Sequence, residues 1–302
     1  MQRIIIVFNP NSSRFVDVEK EVLAPAKKLK GYLIGKYEVE KTNLEANVTK
    51  LSKLIQNGDL VISAGGDATG IIASNGIIKS SKDATLAVLP YGNFNDLSRT
   101  LGTKTLADIF SKSTTTKKLY PLEIIVDGKF FRYATCYVTI GMTAEAVELF
   151  DEPSTRKKLQ KGHKSSWRSY FYLMFWYFKH RHKKVFIPEF TLNGHQTAKK
   201  ISDYCALSGK SMCRVMKGGD DYLKPKVFRS ENCRLTSLWR LTKLMTAAIF
   251  VRTPGKPTTS DTLEFTHPAT VELQAEGEYQ VFKNIKKIDI KKGDKFIKVI
   301  HK

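Results

Sequence analysis

Short apolar runs alternate with segments of helical periodicity through the first 118 residues. The continuous runs, which have the length of buried strands, are residues 3–8, 59–63 and 85–89, and an alternating run lies at 37–41. Apolar residues recur every three or four positions, as they do in helices, at about 16–29, 44–55 and 69–79. Strands that alternate with helices predict a mainly parallel sheet. The loops after residues 8, 63 and 89 are therefore expected to meet at one sheet edge.

Beyond residue 118 the pattern changes to short strand-like segments separated by turn residues. These segments are 119–126, 129–138, 185–192, 263–273, 279–282, 286–290 and 296–300, and a helical stretch lies at about 142–184. The dipeptides Asp127-Gly128 and Asn193-Gly194 are strong signals of tight hairpins. This part of the chain is predicted to form a β-rich antiparallel domain, and the chain length also favours two domains.

The charge balance points to anionic partners. The 302 residues include 50 Lys and Arg against 29 Asp and Glu, which gives a formal net charge of +21. Such a surface attracts nucleic acid, anionic lipid head groups or polyphosphates, without choosing among them. The longest apolar run, Tyr170–Phe178, has nine residues, against the ~20 that span a bilayer. The four cysteines are far apart, which indicates reduced core thiols rather than a zinc site. We therefore expect a cytoplasmic protein with no transmembrane segment.

The strand at 59–63 runs directly into Ala64-Gly65-Gly66-Asp67, and a helical segment follows. Glycines let the backbone approach a phosphate closely, and a helix start offers unpaired N–H groups to an anion. Asp67 would repel that phosphate unless a Mg²⁺ ion bridges the two or a substrate hydroxyl donates to the carboxylate. A tight turn with a helix N-cap is the plainer interpretation. The position of the glycines at the end of an apolar strand favours a phosphate site.

Four segments resemble motifs of the diacylglycerol kinase catalytic family, which includes sphingosine kinases and bacterial lipid kinases. Residues 9–13 read Asn-Pro-Asn-Ser-Ser and are similar to the N-P-x-S-G loop of that family, and residues 65–69 are similar to its G-G-D-G-T. Residues 90–99 look like its P-x-G-T-x-N-D-F-A-R segment, and residues 274–278 look like its Q-x-D-G-E. Order and spacing agree, so the resemblance covers nearly the whole chain.

The resemblance implies a two-domain protein of the α/β class. Residues 1–118, joined by about 290–302, are expected to form an α/β nucleotide-binding domain with a mainly parallel sheet, and residues 119–289 a β-rich antiparallel domain for the acceptor lipid. The active site is expected in the cleft between the two domains, with ATP and Mg²⁺ as cofactors. The residues expected to bind ATP are Asn9, Pro10, Asn11, Ser12, Ser13, Gly65, Gly66, Asp67, Ala68, Thr69, Gly92, Asn93, Asn95 and Asp96.

Three carboxylates are the candidates for the chemistry. Asp67 is expected to coordinate Mg²⁺ or to orient the acceptor hydroxyl, because phosphoryl transfer depends on positioning and charge neutralisation. Glu276 stands where the resemblance places a candidate general base, an Asp in the family, and Glu278 is its expected partner across the cleft. Two plainer interpretations stay open: Asp96 as the N-cap of a helix at 96–101, and the two glutamates as exposed hairpin carboxylates.

The chain departs from the family pattern next to Asp67. Ala68 stands where the family has its second turn glycine, and a Cβ there either strains a residue of positive φ or crowds the nucleotide. The family continues with an apolar residue and then Asn-Glu, whereas this chain reads Gly70-Ile71-Ile72. A carboxylate that faces the site in the family is therefore missing here.

A basic and aromatic segment spans residues 156–184. Its centre is the apolar run Tyr170–Phe178, and Lys and Arg residues flank that run on both sides. An interfacial helix carries aromatic residues beside cations that meet anionic lipid. A core-facing helix with a solvated basic end is the other interpretation. An anionic membrane surface is thus a predicted partner, in addition to the lipid substrate.

The predicted function is that of an ATP-dependent lipid kinase with a diacylglycerol-like acceptor. A catalytically silent nucleotide or lipid sensor on the same fold is one alternative, because of Ala68 and Ile72. A NAD kinase, whose G-G-D-G motif is related, is another. Nucleic-acid binding is suggested by the charge of +21 and the 11% aromatic residues, but it is disfavoured because no RNA-reading motif supports it.

Overall fold

The structure, a computed structural model, describes residues 2–12, 14–41, 43–92, 94–141, 143–145, 147, 187–197, 201–212, 216–217, 224–229 and 258–302. The chain divides into two compact units: unit 1 comprises Met1–Pro121 and Gly293–Lys302, and unit 2 comprises Leu122–Lys292. Within the described ranges, no helix has both the length and the apolar character needed to cross a membrane.

Some sequence predictions fall on residues that the structure does not describe. The basic and aromatic segment at 156–184 lies outside the described residues, and so do Ser13 and Asn93 of the expected ATP-binding set.

The strands, in chain order, are β1 (Gln2–Phe8), β2 (Tyr32–Glu38), β3 (Leu60–Gly65), β4 (Thr85–Pro90), β5 (Thr115–Leu119), β6 (Leu122–Val126), β7 (Lys129–Ala134), β8 (Tyr137–Gly141), β9 (Phe190–Leu192), β10 (His195–Gln196), β11 (Ile201–Leu207), β12 (Ser211–Met212), β13 (Met216–Lys217), β14 (Lys224–Arg229), β15 (Ser260–Ala275), β16 (Glu278–Lys292) and β17 (Ile297–His301). The helices are α1 (Phe15–Val18), continued by a π-helical turn (Glu19–Leu23) and α2 (Ala24–Ala26), then α3 (Leu44–Leu54), α4 (Asp67–Ser80), α5 (Asp96–Leu101) and α6 (Leu106–Ile109).

Unit 1 is built on a sheet with the strand order β2-β1-β3-β4-β17-β5. The first five strands in that order are parallel and β5 is antiparallel, which confirms the predicted mainly parallel sheet. The continuous apolar runs became the central strands β1, β3 and β4, because helices cover both faces of such a sheet. Ile6 and Ile62, for example, pair in register and are both fully buried.

The strand predicted at 37–41 is wrong in its bounds, since the structure has β2 at Tyr32–Glu38. This strand lies at the edge of the sheet, and Tyr37 is the one buried residue within it. All other side chains of this edge strand are exposed or half-buried, so it carries little apolar alternation and the pattern did not mark its start.

Unit 2 contains an antiparallel sheet with the order β14-β11-β8-β15-β16-β6-β7, and β9 adds to β15. This confirms the predicted β-rich antiparallel domain. The predicted turns at Asp127-Gly128 and Asn193-Gly194 join β6 to β7 and β9 to β10, and all four residues have positive φ. Residues Glu276-Gly277 form a third such turn, between β15 and β16, with φ values of 52° and 92°.

The long hairpin of β15 and β16 was predicted as three shorter strands. The pairing of the two strands shifts register between Glu264 and Ala269 and again between Ala269 and Val271. The predicted strand at 263–273 spans both irregularities, and the predicted break lies in β16, between residues 282 and 286. The register shifts face that gap, because Val271 pairs with Phe282 and Ala269 pairs with Ile285.

Candidate functional site

The carboxyl ends of β1, β3 and β4 lie side by side in unit 1. Phe8 pairs with Ala64 and Gly65 pairs with Pro90, so the loops that follow these strands begin at neighbouring positions. The strand pattern predicted this convergence of three loops. Ligands of open parallel sheets bind at such an edge.

The first loop is a tight turn that hydrogen bonds within the loop stabilise. Asn9 Oδ1 accepts the Asn11 N–H at 2.9 Å, and the Ser12 N–H donates to Asn9 O at 3.1 Å. Ser12 Oγ is buried, and it has no hydrogen-bond partner among the described residues. Because buried polar atoms are normally hydrogen-bonded, this hydroxyl is a candidate contact for a ligand oxygen.

Arg14 links the first loop, which follows β1, to the third loop, which follows β4. Its Nη1 donates to Pro90 O at 3.0 Å, and its guanidinium carbon lies 5.2 Å from the centre of the Tyr91 ring. Tyr91 Oη donates to Glu21 at 2.9 Å. Burial is the larger cause that raises the pKa of the Tyr91 phenol, and this hydrogen bond is the second. Sequence reasoning missed Arg14 and Tyr91, because a contact between two loops leaves no mark in local spacing.

The second and third loops touch through glycines. Gly66 and Gly92 lie so close that a Cβ on Gly92 would overlap the Gly66 Cα atom. A Cβ on Gly65 would overlap the side chain of Thr69, which is buried beneath it. The contact between the two loops therefore leaves no room for a side chain at position 92.

The Asp67 carboxylate binds the third loop with both of its oxygens. Oδ2 accepts the N–H of Asn95 at 3.0 Å, and Oδ1 accepts the N–H of Asp96 at 2.8 Å. Burial and the charge of Asp96 raise the pKa of Asp67 to about 6, although the two N–H donors oppose that rise. Asp67 itself is the first residue of α4, behind Gly66 as N-cap.

Asn95 and Asp96 are both buried and both serve the geometry of the third loop. The Asn95 side chain forms two hydrogen bonds with Gly92. Its Oδ1 accepts the Gly92 N–H at 2.7 Å, and its Nδ2 donates to Gly92 O at 2.7 Å. Asn95 has φ 56° and is the N-cap of α5, so the interpretation of Asp96 as N-cap is wrong. Asp96 is instead the first helical residue, and its carboxylate pairs with Arg99. Asn tolerates the left-handed conformation that this N-cap requires.

The comparisons with known proteins concern this same part of the chain. Residues 3–125 match the family model of the diacylglycerol kinase catalytic domain. A diacylglycerol kinase of Staphylococcus saprophyticus is 31% identical over 133 residues, and one of Bacillus subtilis is 34% identical over 106 residues. Residues 3–125 belong to the diacylglycerol kinase catalytic domain family. The alignments cover 43% and 34% of this chain, and they span 39% and 34% of the length of those relatives.

Solved structures match the whole chain in fold. A crystal structure of a diacylglycerol kinase from Bacillus anthracis aligns with a TM-score of 0.62 at 15% identity, covering 100% of this chain and 97% of that one. A second structure from that organism aligns with a TM-score of 0.67 at 16% identity, covering 100% and 98%. The two-unit α/β fold is therefore the fold of bacterial diacylglycerol kinases.

The two departures from the diacylglycerol kinase pattern have a simple structural explanation. Ala68 is the second residue of α4 and has no positive φ, so the expected backbone strain is absent. Ile72 is 4% exposed and packs within unit 1. A glutamate at that position would bury a charge.

The predicted catalytic glutamates lie in unit 2, on the turn between β15 and β16. Glu276 is 3% exposed, and its Oε1 accepts the Thr135 hydroxyl at 2.7 Å and also the N–H of Cys136. The interpretation of Glu276 as an exposed hairpin carboxylate is therefore wrong. Glu278 is half-buried and pairs with Ala275 across the turn.

Unit 2 holds another buried carboxylate, which sequence reasoning missed. Asp203 on β11 is fully buried, and its Oδ1 accepts the Thr143 hydroxyl at 2.8 Å and the Thr143 N–H at 3.3 Å. Burial raises the pKa of Asp203 to about 7. The signal in the sequence was its position in the strand Ile201–Leu207, where Asp203 is the one charged residue. Cys136 and Cys205 are reduced and buried, as expected of core thiols.

Proposed function

We propose that this protein is an ATP-dependent lipid kinase, which transfers the γ-phosphate of ATP to the hydroxyl of a diacylglycerol-like lipid. The observation that carries the proposal is the junction of the Gly65–Asp67 turn with the loop at 91–96, inside the segment that matches the catalytic domain. The curated relatives that align with this segment are named diacylglycerol kinase.

ATP is assigned to the edge of the unit 1 sheet. Close approach of the phosphates to the backbone needs glycine, which Gly65, Gly66 and Gly92 supply. The start of α4 offers N–H groups and a favourable dipole to the phosphate charge. The buried Ser12 hydroxyl, which has no partner in the described part of the chain, would gain one from a phosphate oxygen.

Magnesium is proposed to arrive with the nucleotide. In the ranges described, no cluster of three or more His, Cys, Asp or Glu side chains is arranged to hold a metal ion. Asp67, the carboxylate expected to bind Mg²⁺, accepts one N–H at each oxygen, and each oxygen keeps a lone pair for an ion that the nucleotide would bring. Mg²⁺ commonly takes phosphate oxygens and waters as most of its ligands, and it would neutralise charge on the transferred group.

The acceptor lipid is assigned to unit 2, with Glu276 as candidate general base. In the proposed step the lipid hydroxyl oxygen bonds to the γ-phosphorus, the bond from that phosphorus to ADP breaks, and the hydroxyl proton passes to the base. Glu276 is held by Thr135 and Cys136, so its position is fixed before any substrate binds. An anionic membrane surface is the proposed place of encounter, given the net charge of +21.

A transfer assay tests this function. The protein is incubated with ATP, Mg²⁺ and a mixed lipid extract, presented in vesicles with and without anionic lipid, and the products are identified by mass spectrometry. The proposal expects a phosphorylated glycerolipid, formed faster on anionic vesicles. Binding of ATP without any product would favour the silent sensor, and phosphorylation of NAD alone would favour the NAD kinase.

A further inference from the structure

Three consecutive residues at the end of β3 each hold the third loop. Gly65 O accepts the N–H of Tyr91 at 3.0 Å, and Gly66 lies against Gly92. Asp67 follows, and its carboxylate accepts the N–H groups at the start of α5. The glycine turn and the third loop therefore form one assembly, of which Asp67 is the charged member.

We propose that Asp67 is a positioning residue, which sets the third loop for the nucleotide by clamping the N–H groups of Asn95 and Asp96. This inference rests on the proposed function, since it concerns the nucleotide site of that reaction. In this clamp, both oxygens of the carboxylate accept backbone N–H groups of another loop. The Asp67 side chain therefore faces the third loop.

The chemistry of the clamp requires Asp at this position. Two adjacent N–H donors need two acceptors, and asparagine offers one acceptor and an NH₂ group that would face the second donor. Glutamate keeps both acceptors but is one methylene longer, so it would displace α5 or leave the donors unbound. A carboxylate also suits the positive end of a helix. The third loop has a second reason to need the clamp, because Asn95 adopts a left-handed conformation at φ 56°.

The test compares Asp67→Asn and Asp67→Glu with wild type in the full chain. Amide hydrogen exchange at Asn95 and Asp96, measured by NMR without nucleotide, should accelerate at least about tenfold in both variants, because each loses a charge-assisted hydrogen bond. The dissociation constant and the KM for ATP should rise by on the order of tenfold, while kcat changes less than about threefold.

Asp59→Asn is the matched control. Asp59 precedes β3 at its opposite end, is a buried carboxylate, and accepts a backbone N–H from Gln56 at 2.7 Å. This control should leave exchange at Asn95 and Asp96, and the KM for ATP, at wild-type values.

Three results would overturn the proposal. Unchanged exchange at both amides would show that Asp67 does not hold the loop. A loss confined to kcat, with the KM for ATP unchanged, would show that Asp67 acts on the reacting groups. Retention of most activity by Asp67→Glu, with loss in Asp67→Asn, would indicate a metal ligand. Failure of the wild type to bind ATP would overturn the proposed function together with the nucleotide role. The exchange data would then report on the clamp separately.

Discussion

At the scale of single residues, the proposed nucleotide site depends on the absence of side chains at a few positions. Gly66 and Gly92 come from loops 26 positions apart in the sequence, and they pack directly against each other. The sequence predicted that Gly65 and Gly66 would lie near a phosphate. It could not predict that Gly66 would meet Gly92, because that contact depends on how two strands pair in register.

Gly92→Ala should weaken ATP binding by about tenfold or more, because the new methyl would push the third loop away from Gly66. Titration calorimetry with ATP and Mg²⁺ measures the effect. Gly128→Ala is the control, since Gly128 lies in a hairpin turn of unit 2, has a φ of 74°, and has no atom within 4 Å of where a methyl group would stand. It should cost about 1 kcal/mol of stability and leave ATP binding intact. Equal ATP affinity in Gly92→Ala and wild type would contradict the glycine contact.

At the scale of elements, α4 shows what a pattern can and cannot reveal. Its apolar periodicity predicted a helix over 69–79, and the helix runs from Asp67 to Ser80. Most of its residues are buried, so periodicity did not distinguish the side chains that face a ligand from those that face the core. The resemblance to the family pattern indicated that a carboxylate facing the site is missing at position 72, whereas Ile72 is buried in the core of unit 1.

Ile72→Glu should lower the free energy of unfolding by about 3 kcal/mol or more, because it places a carboxylate at a buried position. Ile72→Leu keeps the apolar volume and should cost less than about 1.5 kcal/mol. Urea unfolding of both variants tests the difference. If Ile72→Glu were as stable as wild type and transferred more phosphate, Ile72 would have to face the substrate.

The buried Asp203 gives unit 2 a pH dependence of predictable sign. Its pKa in the folded protein is about 7, above the ordinary value of 3.8. A carboxyl whose pKa rises on folding binds its proton more tightly in the folded state. Its stabilising contribution is therefore fully present below the ordinary pKa, and it is lost as the pH rises from there through the folded-state pKa.

Asp203→Asn should accordingly become more stable relative to wild type as the pH rises from about 5 to about 8. The asparagine keeps an acceptor for Thr143 and has no proton to lose. Melting temperatures of the two proteins at both pH values, in the same buffer ions, give the comparison. A difference in melting temperature that does not change with pH would contradict the raised pKa of Asp203.

At the scale of the whole molecule, the chain combines two units of different architecture. The alternation of strands and helices predicted the parallel sheet of unit 1, and the paired turn signals predicted the antiparallel sheet of unit 2. Apolar periodicity and turn residues are both local features of the sequence, so both sheets could be predicted from it. The buried network around Glu276 was beyond prediction, because its partners Thr135 and Cys136 lie 141 and 140 residues away in the sequence.

The most direct test of the lipid kinase activity uses ATP whose γ-phosphate carries heavy oxygen, with a diacylglycerol in mixed micelles and Mg²⁺. Mass spectrometry then follows the heavy phosphate from the nucleotide into the lipid, for wild type and Gly92→Ala. A lipid kinase should give a heavy lipid phosphate with wild type, and far less with the variant at limiting ATP. An unlabelled lipid with wild type, under conditions where ATP is bound, would contradict the assignment as a lipid kinase.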